Sequence, residues 1–248
     1  MDKKLIQQAA RKIKNARRLI SFTGAGISVE SGIPPFRGPD GLWSRYDPQV
    51  LDLSYFQRHP ANCWRVIKEI FYDFFGKARP NQAHQALAQL EAAEVLHGVI
   101  TQNIDNLHQE AGSSDVIEFH GTGHRLTCLS CHQTWEFQPE MLARLPPACP
   151  RCGGLLKPDF IFFGEGIPPL AYQQSMAEAQ LADTWLVIGT TGEIMPASML
   201  PIEAQRNGAL MIEVNLRPSN YTNTITDIFL QGKASEVLSA LAVAVLHP

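Results

Sequence analysis

Apolar positions recur at two periods along the chain. Leu5, Ile6, Ala9, Ala10 and Ile13 fall at helical spacing, so Lys3 to Ala16 reads as an amphipathic helix. The run Leu19-Ile20-Ser21-Phe22 that follows is apolar at nearly every position, the pattern of a strand covered on both faces. Trp64, Ile67, Ile70 and Phe71 restore the helical period, and the whole of Ser54 to Arg79 reads as a helical insertion without a strand. Asn81 is placed to cap a helix over Gln82 to Ala93. Strands are predicted at Val95 to Thr101 and Val116 to Phe119, with Gln109 to Gly112 ending the helix between them. After an interruption the alternation resumes: strand Phe160 to Phe163, helix Leu170 to Leu181, strand Trp185 to Ile188, helix Ala197 to Arg206, strands Leu210 to Val214 and Ile228 to Leu230, and helix Ala234 to Val245.

Near-continuous apolar strands separated by helices predict an α/β fold, a doubly wound, mostly parallel, Rossmann-like sheet. Such sheets bind ligands beyond the carboxyl ends of their strands. Gly24, Thr101-Gln102-Asn103, His120, Gly189-Thr190-Thr191 and Asn215 all stand just past a predicted strand end, so a shared site is expected there. The first of these turns is the start of TGAGISVESGIPPFRG, Thr23 to Gly38. A strand that runs into glycines and then a helix offers backbone amides to a phosphate. It is not an ordinary dehydrogenase fingerprint: G-x-G-x-x-G would require glycine at Val29, and no acidic residue ends a second strand about 20 residues on. Asn103 and Asp105 offer a carboxamide and a carboxylate suited to an amide and to ribose hydroxyls, and are equally ordinary in a strand-to-helix turn.

From His124 to about Lys157 the pattern breaks into short polar pieces with Pro146-Pro147, Pro150 and Gly153-Gly154. Cys128, Cys131, Cys149 and Cys152 form two C-x-x-C pairs, the spacing of a tetrahedral Zn²⁺ ribbon, and a closed set of four thiolates predicts one structural ion. Cys128 to His132 also matches a haem-attachment pattern, but the second C-x-x-C completes a zinc site. The segment holds too little apolar surface to fold without the metal. Cys63 lies in an apolar stretch and reads as a buried small hydrophobe.

The 248 residues are 45% hydrophobic and 18% charged, enough for one large core and a small satellite module. A net charge of −3 gives no drive toward nucleic acid or an anionic membrane, and no direct nucleic-acid partner is expected. No stretch approaches a membrane span, and MDKKLIQQAARKIK lacks the apolar centre of a secretory signal, so the expected location is cytoplasmic.

TGAGISVESGIPPFRG resembles the cofactor loop of the sirtuins, NAD-dependent protein-lysine deacylases. The likeness returns in TQNIDNLH (Thr101 to His108), FHG (Phe119 to Gly121), KPDFIFFGE (Lys157 to Glu165), GTT (Gly189 to Thr191) and MPA (Met195 to Ala197), in the family's order. The resemblance implies NAD as co-substrate, held by Gly24, Ala25, Gly26, Phe36, Arg37, Gln102, Asn103, Ile104, Asp105, Gly189, Thr190, Thr191, Asn215, Leu216 and Ala234. It implies His120 as general base with Asn103 as a second catalytic residue, and Phe163-Gly164-Glu165 as the edge that receives an acylated-lysine peptide. The acyl oxygen would attack the ribose carbon bearing nicotinamide, and lysine and 2′-O-acyl-ADP-ribose would be the products. The expected units are a Rossmann-like domain (1–53, 80–123, 158–248), a helical insertion (54–79) and a zinc module (124–157).

This chain departs from the family pattern at Pro35, where an Asp is usual, and at Thr191 and Gly192-Glu193. Two other readings stay open at the level of sequence: ADP-ribosyl transfer or NAD hydrolysis at the same site, and a non-catalytic zinc-ribbon binding module. Family members that prefer succinyl or malonyl groups carry a Tyr-x-x-Arg pair in the helical insertion. No such pair lies between Trp64 and Phe75, where Ile67 and Ile70 stand, so neutral acyl groups are expected, with longer apolar chains lying along Ile67, Ile70 and Phe71.

Overall fold

The computed structural model describes residues 2–36 and 41–247. Helix α1 (Lys3–Lys14) is capped by Asp2, whose carboxylate accepts from the Lys4 amide, and it buries Ile6, Ala9, Ala10 and Ile13. Strand β1 (Leu19–Thr23) is buried at every position. Short 3₁₀ turns at Ala25–Ser31, Leu42–Ser44 and Pro48–Leu51 lead to the insertion. There, helices α2 (Leu53–Arg58) and α3 (Pro60–Ile67) run into a π-helical turn, Lys68–Phe74.

Helix α4 (Gln82–Ala92) starts at Asn81 in a capping box completed by His84. Next come β2 (Leu96–Thr101), α5 (Leu107–Glu110), β3 (Val116–Glu118), β4 (Gly121–Cys128), β5 (Thr134–Glu136) and β6 (Leu156–Phe160). The chain ends with α6 (Pro169–Leu181), β7 (Thr184–Ile188), α7 (Met199–Arg206), β8 (Leu210–Asn215), β9 (Ile228–Gln231) and α8 (Ala234–Leu246).

Six strands form one parallel sheet in the order β3-β2-β1-β7-β8-β9. The order reverses between β1 and β7, which pair from Leu19–Thr184 to Thr23–Ile188. Aliphatic residues of α1, α4 and α8 cover one face, while Phe22, Trp185 and Leu200 lie in the cluster on the other with α6 and α7. That reversal opens the crevice where doubly wound sheets take ligands.

The remaining strands form a separate antiparallel sheet, β5-β4-β6. The expected core strand Phe160 to Phe163 is corrected here. Strand β6 ends at Phe160, which pairs with Gly121, and Phe160 and Phe162 bury against the insertion rather than inside the parallel sheet. A short apolar run carries no mark of which sheet it will join. The insertion and the cysteine-bearing segment share one hydrophobic cluster, with Trp64 donating its indole N–H to the Leu156 carbonyl at 2.9 Å. Among the described residues no helix is long and apolar enough to cross a membrane.

Candidate active site

The turns after β1 and β7 meet at the reversal point. Gly24 donates its amide to the Ile188 carbonyl (3.0 Å) and Gly26 to the Gly189 carbonyl (2.8 Å). A Cβ on Gly26 would stand 2.6 Å from Gly189 Cα, and one on Gly189, at φ +62°, would stand 2.5 Å from the Ile27 nitrogen. These glycines are therefore required by each other as well as by any phosphate that approaches them.

Side chains from the neighbouring strand ends close the arrangement. Gln102 donates to Thr190 Oγ1 (3.1 Å), and Asn215 donates to the Thr190 carbonyl (2.8 Å). Asn103 is buried and donates its amide to the Gly24 carbonyl (3.2 Å) and to Ser28 Oγ (3.1 Å). His120 Nδ1 lies 2.9 Å from the Gln102 carbonyl. Six of the expected positions are thus joined by direct hydrogen bonds in two sets, Gly24 with Asn103, and His120, Gln102, Thr190 and Asn215 in a chain.

The others lie around this group. Ala25 opens the first 3₁₀ turn, and the Ile104 carbonyl accepts from Gly123 (3.2 Å). The Phe36 ring reaches from the loop to Trp43 (5.6 Å between centroids) and Phe71 (6.5 Å). Arg37 falls outside the described residues. Thr191 accepts the Asn220 amide, Leu216 is exposed beyond β8, and Ala234 is buried at the start of α8 as part of the core.

Comparison with known proteins decides the family. The Sir2 family model matches residues 24–196. The chain is 45% identical to NAD-dependent protein deacylase 2 of Pyrobaculum aerophilum, over 92% of this chain and 91% of that relative. It is 41% identical to the NAD-dependent protein deacetylase of Caldivirga maquilingensis, over 94% and 90%. The chain belongs to the Sir2 family. Among solved structures it is similar to a Sir2 homologue in complex with NAD (TM-score 0.89, 40% identity, 99% of this chain and 94% of that one). A Sir2 complex with a p53 peptide and NAD⁺ superposes with TM-score 0.86 at 33% identity, covering 94% and 95%.

In this Sir2 protein the sequence reading missed three polar residues beneath the site. Ser28 Oγ donates to Asp105 Oδ2 at 2.6 Å while accepting from Asn103. Burial raises the Asp105 carboxyl above its usual range, opposed by the bonds from Ser28 and the Leu107 amide. His84 takes the Asn81 amide on Nδ1 (3.3 Å) and turns Nε2 to Ser28 Oγ (3.5 Å), and burial pushes it down to about 4. His108, fully buried beside it, contacts Thr23 Oγ1 at 2.9 Å and is also pushed well down by burial. A serine and a histidine on a helix carry no spacing signal of their own. The available clues were that Ser28 lies inside the glycine-loop motif and that His108 closes the TQNIDNLH block.

Beside Ile104 and Asp105 is a cavity of about 90 Å³, walled by Phe71, Tyr72, Phe75 and Phe137 and also bordered by Glu110 and His124. The expectation that Ile67 and Ile70 would face an acyl chain is corrected: both are fully packed in the core, and of the three only Phe71 reaches the cavity. The helical spacing that puts Trp64, Ile67, Ile70 and Phe71 on one face turns that face into the core shared with the cysteine-bearing segment.

Phe163 is half exposed and pairs its backbone with Leu51 and Leu53. The segment leading to it hangs from the strand end at His120, since Ile161 donates its amide to the His120 carbonyl (2.9 Å). Glu165 does not extend outward; its carboxylate turns in to the Phe162 amide (2.6 Å) and the Lys157 ammonium (2.9 Å).

The four cysteines place all their sulfurs within 4.8 Å of one another, with Cys128–Cys152 at 3.5 Å and Cys131–Cys149 at 3.8 Å. A tetrahedral Zn–S bond of about 2.3 Å separates sulfurs by about 3.8 Å, so the set fits one zinc ion. The Cys131 and Ser130 amides approach Cys128 Sγ, and the hydrogen bond from Cys131 contributes most to lowering that thiol to about 6, favouring the thiolate a metal needs.

Proposed function

We propose that this chain is an NAD-dependent protein-lysine deacylase that removes acetyl, and longer apolar acyl, groups. Its products are nicotinamide, free lysine and 2′-O-acyl-ADP-ribose. The observation that carries this reading is the tautomer of His120. A carbonyl only accepts, so the contact with Gln102 puts the ring proton on Nδ1 and leaves the Nε2 lone pair as a base at a strand end in the crevice.

The residues fit NAD by the chemistry of their groups: a buried carboxylate and carboxamide for the nicotinamide amide and ribose, backbone amides for phosphate, and hydroxyls for the adenosine. NAD, when bound, supplies a ribose carbon activated by its nicotinamide leaving group and a ribose hydroxyl that accepts the acyl group. Gly24, Ala25 and Gly26 are assigned to the phosphates with Arg37. Gln102, Asn103, Ile104 and Asp105 are assigned to the nicotinamide ribose, and Gly189, Thr190, Thr191, Asn215, Leu216 and Ala234 to the adenosine.

Asp105 holds the amide end and Asn103 orients the ribose. His120 Nε2 takes the ribose hydroxyl proton, and Phe36 screens the site from water. Phe163, Gly164 and Glu165 present the edge to which the substrate peptide adds as a strand. The zinc set has no open position and serves to hold the module spanning 124–157, next to the insertion of 54–79; the rest of the chain is the NAD-binding unit. The reaction is assigned to the cytoplasm, where NAD and acylated protein lysines are both present.

The test is product mass. An acetyl-lysine peptide incubated with NAD and the protein is expected to yield the deacetylated peptide and 2′-O-acetyl-ADP-ribose. ADP-ribose alone, or ADP-ribosylated peptide, would contradict the reading.

A further inference from the structure

Lys157 is the only lysine among the described residues in the buried class, its side chain 7% exposed. An ammonium is rarely buried unless all its hydrogens find partners. Here they do: Nζ donates to the carbonyls of Pro158 (2.8 Å) and Phe160 (2.7 Å) and meets Glu165 Oε2 at 2.9 Å. The face of the Phe162 ring lies 4.3 Å from the same nitrogen. Glu165 in turn accepts the Phe162 amide on that oxygen, and its own amide donates to the Phe162 carbonyl (3.0 Å). The charge pair therefore ties the last residues of β6 to residue 165 and closes the turn between them.

What the turn presents is an open edge. The Phe163 amide and carbonyl are already paired with Leu51 and Leu53. Gly164, at φ +92°, has free space where a Cβ would stand. We propose that Lys157 and Glu165 are positioning residues for substrate: their buried ion pair sets the height and direction of the Gly164 edge on which the acyl-lysine peptide is laid. The inference rests on the deacylase reading given above. The Ile161 amide stays bonded to the His120 carbonyl, outside the turn that the pair closes, so the base keeps its place when the turn is loosened. An apolar side chain at 157 would leave two carbonyls and a carboxylate without their donor, and the turn would reorganise to reach water.

The test is steady-state kinetics on the full chain with NAD and an acetyl-lysine peptide, each varied in turn, for wild type, Lys157→Met, Glu165→Gln and the double variant. Lys157→Met is expected to raise the KM for peptide about tenfold or more, with the KM for NAD and kcat within about threefold of wild type. Glu165→Gln, which keeps an acceptor oxygen but loses the charge, is expected to give a rise of about threefold. The double variant should be no worse than Lys157→Met, because one pair is being broken. If Lys157→Met does not fold, Glu165→Gln carries the test alone. A wild-type peptide KM in the folded variants, or an equal loss in NAD KM and kcat, would overturn the inference. If wild type itself does not turn over the acetylated peptide, it is the deacylase reading that fails.

Discussion

His120 donates its Nδ1 proton to the Gln102 carbonyl at 2.9 Å. The bond selects one tautomer and aims Nε2 away from the backbone. Burial lowers the pKa of His120 below 6.5, with the Gln102 bond opposing in part. The neutral, base-competent form is therefore the dominant one at pH 7. The acid limb of kcat/KM should have its midpoint below 6.5, with activity rising as pH rises through it. His120→Ala should lose about 10²–10⁴ in rate while remaining folded. A near-normal rate in that variant, or an acid limb centred above 7, would remove the base role.

Acid should destabilise the fold through the buried histidines. His84 is held down to about 4 by burial, whereas an unfolded histidine titrates near 6.5. Above that value both states are neutral and stability is complete. As pH falls from 6.5 toward 4, the unfolded chain binds a proton the folded chain refuses, and stability is lost across that window. His84 alone should account for about 1–3 kcal/mol between pH 7 and 4.5. Urea midpoints at the two pH values check this, and a His84→Gln variant should show a shallower fall.

Zinc removal should open the cysteine-bearing segment and carry the insertion with it, since Trp64 is bonded to Leu156. Chelation is expected to expose the Pro146 region to protease and to abolish activity, with both restored by zinc. Unchanged protease resistance in metal-free protein would contradict a structural ion.

The acyl group removed should be neutral. The cavity beside Asp105 has aromatic walls and two carboxyl groups, Asp105 and Glu110, and no arginine or lysine among the described residues lines it. An acidic acyl group would lose hydration there and gain no cationic partner. Acetyl-lysine should exceed succinyl-lysine in kcat/KM by at least about tenfold on one peptide sequence. Succinyl as the best substrate would reverse this.

Much of this was legible from strand ends. Gly24, Gln102, Asn103, His120, Gly189 and Asn215 could be placed together because buried parallel strands announce themselves as apolar runs and put the next residues in one crevice. The cysteine spacing likewise reported its own geometry. What stayed hidden depended on partners far apart in the chain. Ser28 and His84 matter through bonds across 77 residues to Asp105 and across 56 to each other. The apolar run Phe160 to Phe163 has no feature that distinguishes the two sheets, so it reads as another core strand. Ile67 and Ile70 stand where related chains carry the Tyr-x-x-Arg pair, but correspondence of position does not say which way a helix face turns, and here that face is packed in the core. The pattern of Phe163-Gly164-Glu165 gives no sign that the Glu165 side chain turns in; its bonds to Lys157 and to the Phe162 amide show it.

The central claim is that this crevice couples nicotinamide loss to an acyl-lysine. The most direct measurement is nicotinamide release from NAD with an acetyl-lysine peptide, with the same peptide unacetylated, and with no peptide. Release that depends on the acetyl group, in one-to-one proportion to deacetylated lysine, is the predicted result. Equal release in all three mixtures would contradict it.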